Sequence, residues 1–175
     1  MGTKAFEDGA RDKRCSVWTP DPKMGNSAAV MRRRMPVVDD AALRRSLEAS
    51  LGPDKIRMDE ASRHAYSTDS SPCAVEPRAV AFAESESDVL AVLRSCREHE
   101  VPLTPCASGT SLSGAAIGPG IVLDTTCFRR IFDFDARYRI VQVGPGLLLS
   151  ELNPYLAERG VRFAPDPGSQ DLSPM

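Results

Sequence analysis

Residues 76–105 read "EPRAVAFAESESDVLAVLRSCREHEVPLTP", and this run sets the fold. The opening "EPRAVAFAES" alternates and has enough β-branched character for a strand at about Ala79 to Ala83. "SESDVLAVLRSCREHE" is then amphipathic at helical spacing. Ser85 suits the N-cap, Glu86 and Asp88 suit the first turn, and Val89, Val92, Leu93 and Cys96 fall on one face. Arg97 and His99 come at the end of the run, where cations complement the helix dipole, and that is the reading for His99. "VPLTP" supplies a second strand. The run is therefore a βαβ unit, with a right-handed crossover expected.

Downstream, the chain turns small. "CASGTSLSGAAIG" (106–118) separates the second strand from a third, "GIVLDTT", at Gly120 to Thr126. Gly109 and Gly114 have the spacing of a phosphate-cradling loop, but Ala115-Ala116 stand where that motif needs Lys and Ser/Thr. Gly118-Pro119-Gly120 precedes a strand instead of opening a helix, and Gly144-Pro145-Gly146 lacks a third glycine, so neither is a dinucleotide fingerprint. Two readings remain on spacing alone. One is a plain glycine-rich connection. The other is a nest of main-chain N–H groups that binds an anion, helped by the hydroxyls of Thr110, Ser111 and Ser113. Hydrogen bonds to a charged group contribute roughly 1.5–3 kcal/mol each, so three or four would hold a pyrophosphate without a basic side chain.

Further on, "IFDFD", a turn at 136–138 and "RIVQVG" predict a hairpin. "LLLSELNPYLAERG" predicts a helix stopped by Gly160, burying Leu148, Leu152, Tyr155 and Leu156. "VRFAPDPGSQDLSPM" reads as a short strand and a proline-rich loop. Upstream, "DDAALRRSLEASLG" places Leu43, Leu47 and Leu51 four apart, with Asp39 or Asp40 as N-cap and Gly52 as stop. The segment after it, holding His64, Tyr66 and Asp69, carries a weaker pattern; Tyr66 reads as edge packing and His64 as a surface residue. Residues 1–38 lack periodicity and read as a disordered extension, 39–74 as a helical lead-in, and 75–175 as the main domain.

Composition narrows the function classes. An apolar fraction of 42% and a charged fraction of 26% are ordinary for a globular protein. The formal net charge of −2 gives no global argument for nucleic acid, and no nucleic-acid partner is expected. Residues 1–35 hold eight Lys/Arg against four acids; the run Arg32-Arg33-Arg34 suits contact with a phosphate backbone or an anionic surface, and is read here as a solvated lead-in. No run has the length of a membrane span, so no integral membrane segment is expected. Five widely spaced cysteines and two histidines suggest reduced thiols in a cytoplasmic setting, with no disulfide framework or metal site.

From about Asp40 to Gln170 the chain resembles the FAD-linked oxidases with a PCMH-type (vanillyl-alcohol-oxidase-like) flavin domain. It is most similar to the glycolate oxidase subunit, D-lactate and D-2-hydroxyglutarate dehydrogenase group. The residues that carry the resemblance are the βαβ run, "GTSLSGAAIGPGIVLD", "VQVGPGLLLSELNPYLAERG" and "APDPGS", in that order. It implies an α+β fold: a small βαβ parallel-sheet subdomain, then the start of a second, mainly antiparallel subdomain, truncated. It implies FAD as cofactor and oxidation of a 2-hydroxy acid as the parent chemistry. By position, Pro105, Cys106, Ala107, Ser108, Gly109, Thr110, Ser111, Leu112 and Gly114 would wrap the pyrophosphate, and Pro167 and Ser169 would approach the flavin. Catalytic residues are not expected here, because the cap domain that carries them would be supplied elsewhere, for instance by a partner chain. A non-catalytic gene product is the alternative. Relatives have an arginine and a glycine where this chain has Cys106 and Ala107, so Ala107 would be strained if its φ were positive.

Overall fold

The computed structural model describes residues 38–165 and 167–174, so the expectation for residues 1–37 lies outside the described residues. Helix α1 spans Asp40–Leu51. Asp39 caps it, its side chain accepting from the N–H groups of Ala41 and Ala42 at 2.9 and 3.2 Å. A short 3-10 turn leads into β1, Ile56–Arg57, and the six-residue helix α2, Glu60–Ala65, follows with Asp59 as its cap. The βαβ run forms β2 (Ala79–Phe82), α3 (Glu86–Glu98) and β3 (Leu103–Cys106). Ser85 and Asp88 close a capping box at the start of α3, each side chain accepting from the other's main-chain N–H. Lys55 donates to the same Asp88 carboxylate at 2.8 Å and holds it below the usual carboxylate range.

Strand β4, Ile121–Asp124, lies between β2 and β3 and runs parallel to both, while β1 pairs antiparallel with the outer side of β2. The two strands of the βαβ unit are therefore parallel members of one sheet but not neighbours. Burial of β2 and β4 is continuous, where the sequence suggests alternation for β2. Strands at the centre of a parallel layer are covered on both faces, and this removes the period of two. The edge strand β3 is only partly buried and contains Pro105, a residue confined to such edges.

One core joins the elements. Leu43 and Leu47 of α1, Ile56 of β1, Val92 and Cys96 of α3, and Ala79, Ala81, Ile121 and Leu123 of the sheet pack together. Leu43 and Leu47 are fully enclosed, each contributing roughly 1.5–3 kcal/mol relative to exposure. Segment 39–74 thus shares its core with the sheet. The buried face of α3 comprises Ala91, Val92, Ser95 and Cys96, and Leu93 is 45% exposed where one apolar face would bury it. Ser95 takes that place because α1 packs against α3 and offers Ser46, whose hydroxyl lies 3.0 Å from the Ser95 hydroxyl.

A second cluster forms on the hairpin β5 (Ile131–Asp135) and β6 (Ile140–Val143), closed by α4, Leu149–Ala157. Leu147, Leu149, Leu152 and Leu156 are buried, while Leu148 and Tyr155 are half-buried. Residues 161–163 form no strand. The N–H of Val161 bonds the Leu156 carbonyl and that of Phe163 bonds Asn153 Oδ1, so both serve the end of α4 instead of a ladder.

Candidate functional site

Parallel strands β3 and β4 end side by side at Cys106 and Asp124, and the small-residue loop leaves from that edge. Crevices beyond the carboxyl ends of parallel strands are where open α/β sheets bind ligands. The Thr125 N–H continues the pairing by bonding the Cys106 carbonyl at 2.9 Å. Beyond Cys106 the ladder stops, and the N–H groups of Ala107, Ser108, Thr110, Ser111 and Leu112 meet no acceptor among the described residues. Gly109 sits at φ +63°, a left-handed conformation that reverses the chain within this row. Ala107 has no positive φ, so a side chain there carries none of the strain that a left-handed position would impose.

Two clefts flank the loop. One, of about 360 Å³, is lined by Pro105, Cys106, Ala107, Ser108, Gly109, Thr110 and Ser111, with Ala115, Ala116, Thr125, Pro145 and Pro174 across from them. No carboxylate lines it. The other, of about 530 Å³, shares Cys106 to Gly109 and adds Tyr66, Thr68, Asp69, Asp124 and Thr126. Its two carboxylates are engaged by the protein. Asp124 accepts from the Tyr66 hydroxyl at 2.5 Å, from the Thr126 N–H at 2.8 Å and from the Thr126 hydroxyl at 2.5 Å. Asp69 accepts from the N–H of Ser71 at 2.9 Å and of Ala116 at 3.3 Å, and the Ser71 side chain first, then these main-chain donors, lower its pKa.

Segment 66–71 therefore fastens the loop at two points. Asp69 takes the Ala116 N–H, and Ser70 donates its N–H to the Gly109 carbonyl at 3.0 Å. Tyr66 sits edge-on to Phe82, with centroids 6.0 Å apart at 87°, and burial with its bond to Asp124 raises its pKa well above the ordinary phenol value. Burial, then the nearby Asp124 charge, pushes the Cys106 thiol up, so it is not poised as a thiolate nucleophile.

Of the residues singled out in the sequence, Pro105 to Ser111 come together around the two clefts. Leu112 is 80% exposed and lines neither cleft; Gly114, at φ +79°, packs beside Ser71 and Ile117. Pro167 and Ser169 also line neither. Their segment turns back onto the start of α4, where Leu148 bridges Pro174, and Pro174 is the residue that reaches the smaller cleft. Sequence reasoning passed over Tyr66 and Asp69 as site residues. Their signal was a pair of hydrogen-bonding side chains three apart in a stretch too poor in apolar residues to be core.

A family model described as FAD binding domain matches residues 77–174. The chain belongs to this family. Its cofactor is FAD, and the loop donors suit that group's pyrophosphate: unbonded N–H groups and hydroxyls beside a cleft free of carboxylates. Among curated relatives, the mitochondrial D-lactate dehydrogenase [cytochrome] of Arabidopsis thaliana is 37% identical over 94 residues, 53% of this chain and 17% of its own. The glycolate oxidase subunit GlcD of Bacillus subtilis is 30% identical over 125 residues, 70% of this chain and 27% of its own. D-2-hydroxyglutarate dehydrogenase of Stutzerimonas stutzeri is 28% identical over 130 residues, covering 73% and 28%. The chain thus spans between a sixth and somewhat over a quarter of the length of these relatives. In fold it is similar to alkyldihydroxyacetonephosphate synthase, with TM-score 0.65, 19% identity and coverage of 77% of this chain and 28% of that one. It is also similar to p-cresol methylhydroxylase, with TM-score 0.63, 19% identity and the same coverage. The PCMH-type α+β fold expected from the sequence is therefore the fold of this FAD-binding domain. No described helix is long and apolar enough to cross a membrane.

Proposed function

We propose that the chain is the FAD-binding portion of a flavoenzyme that oxidises 2-hydroxy acids of the glycolate and D-lactate kind. The observation that carries this is the row of unbonded N–H groups at Ala107, Ser108, Thr110, Ser111 and Leu112, at the carboxyl end of β3 beside a carboxylate-free cleft. The names of the relatives support the substrate class. Bound there, FAD supplies the hydride acceptor for the substrate carbon. The residues of this chain bind and orient. Pro105 to Leu112 and Gly114 hold the pyrophosphate segment, with Gly109 turning the backbone so that successive N–H groups converge. Asp69 and Ser70 keep that turn in place, and Pro167 and Ser169 contribute from the C-terminal stretch. The base for the substrate hydroxyl and the substrate pocket come from outside these residues, on further chain or on a partner chain. Residues 75–175 carry the flavin domain and 39–74 its packed lead-in. Cys96, Cys106 and Cys127 are free thiols, which supports a cytoplasmic setting.

Titration of the full chain with FAD tests the proposal. Quenching of flavin fluorescence with a shifted flavin absorption band, both lost in Gly109→Val, is the expected result. No change in either at high-micromolar FAD overturns it.

A further inference from the structure

Helix α3 buries one face, and the opposite face has an order of its own. At about 100° of rotation per residue, Ala91, Val92, Ser95 and Cys96 fall on the buried side, while Glu86, Leu90, Leu93 and Arg97 fall within about 60° of one another on the far side. Leu90 is 55% and Leu93 45% exposed, and Glu86 and Arg97 are exposed with no side-chain partner among the described residues. The steps along this stripe are four, three and four residues, the spacing of a coiled-coil seam. The helix dipole explains an acid in the first turn and a base in the last. It does not explain two leucines between them, on a face where a surface helix is ordinarily polar.

The stripe reads the same from either end except that its charge changes sign: Glu86, Leu90, Leu93, Arg97. A two-fold axis passing between Leu90 and Leu93 therefore lays it antiparallel on a second copy of itself, a self-complementary contact in which every pairing occurs twice. Leu90 meets Leu93 of the second copy, and Glu86 meets its Arg97. A parallel arrangement instead sets Glu86 on Glu86 and Arg97 on Arg97. We propose that α3 is the contact of a symmetric dimer of this chain, two helices packed antiparallel along this seam. The leucines supply the apolar area, and the flanking charges set direction and register. A seam of three turns lies below the roughly 1,200 Å² of stable complexes, so the dimer is a weak one, with a dissociation constant on the order of 100 μM. No residue of α3 lines either cleft at the glycine loop, and the proposal does not depend on flavin binding.

Sedimentation velocity on the full chain without flavin, from about 10 μM to about 1 mM, tests this. The expected result is a reversible shift from monomer to dimer across that range. Leu90→Ala, at an exposed position of a helix that alanine favours, should weaken the dimer roughly tenfold or more, because each copy loses a leucine from the seam. Glu86→Arg and Arg97→Glu should each weaken self-association, since either change opposes like charges twice. An equimolar mixture of those two variants should regain the parent's dimer, because every charged pair across the mixed contact is again of opposite sign. The mixture contains the same two chains, so damage to helix stability would persist in it and recovery reports the pairing alone. The inference is overturned if the parent sediments as a monomer at about 1 mM, if Leu90→Ala associates as the parent does, or if the mixture associates no better than its components.

Discussion

The Ser70 N–H donates to the carbonyl of Gly109 at 3.0 Å, tying the segment after α2 to the turning point of the glycine loop 39 residues later. That bond fixes which way the Gly109 peptide faces. With its carbonyl held toward Ser70, the peptide N–H groups around it are left to converge elsewhere. Anchorage of the loop by a distant segment is the relationship from which the following expectations derive.

Gly109→Ala places a Cβ at φ +63° but in open space, with nothing within 4 Å. The cost is conformational, about 1–2 kcal/mol, and steric clash adds nothing. Urea denaturation should show that modest loss. Flavin affinity should fall further than stability does, because the turn sets where the donors point.

Gly120→Ala differs in kind. Its Cβ would lie 1.9 Å from the carbonyl oxygen of Pro102, on backbone that also pairs with Ile121. The main chain cannot yield there without opening the β3–β4 pairing. Expression of this variant should give insoluble or unfolded chain, read by loss of the cooperative transition in circular dichroism.

Tyr66→Phe removes one donor from the Asp124 carboxylate, which is 5% exposed, and leaves the two bonds from Thr126. The expected loss is about 1–3 kcal/mol, the cost of a buried acceptor deprived of a partner. Thermal denaturation measures it. A variant as stable as the parent would show that Thr126 alone satisfies the carboxylate.

Asp69 has a pKa lowered by its hydrogen bonds from Ser71 and Ala116. A carboxyl whose folded pKa is depressed contributes stability above its unfolded value, and loses it as pH falls through the folded value. The stability difference between the parent and Asp69→Asn should therefore be constant from neutral pH to about pH 4 and shrink only below the ordinary carboxylate range. Urea titrations at stepped pH check this; a difference already vanishing near pH 6 would assign the effect to another group.

Thiol chemistry should separate the cysteines. Burial raises Cys106 and pushes Cys96 up to about 11, whereas Cys127 is exposed. Iodoacetamide at neutral pH should label Cys127 well before either, as peptide mass mapping can follow.

What the sequence disclosed, it disclosed through local rules. The caps at Asp39 and Ser85, the leucines of α1 and the parallel unit around α3 each follow from spacing within one element. The failures occur where a neighbour decides. Leu93 yields its buried place to Ser95 because α1 brings Ser46 there, a pairing 49 residues apart. Val161 and Phe163 look like a strand, but the end of α4 uses their N–H groups first. The loop itself was legible from residue size alone. Its supports at Tyr66, Asp69 and Ser70 were not, since nothing in a short polar stretch reveals which backbone 40 residues away it will hold.

Pro105 has one further consequence. Pro102 and Cys106 both turn their carbonyls toward β4, accepting from Ile121 and Thr125, so alternation directs the nitrogen of Pro105 to the open side of the sheet. A foreign strand seeking to extend the sheet along β3 would find no donor there, next to the residues that line the cleft at the small-residue loop. The same small ring that leaves the outer edge of β3 without a donor thus guards the doorway of the cleft against being zipped shut by another chain.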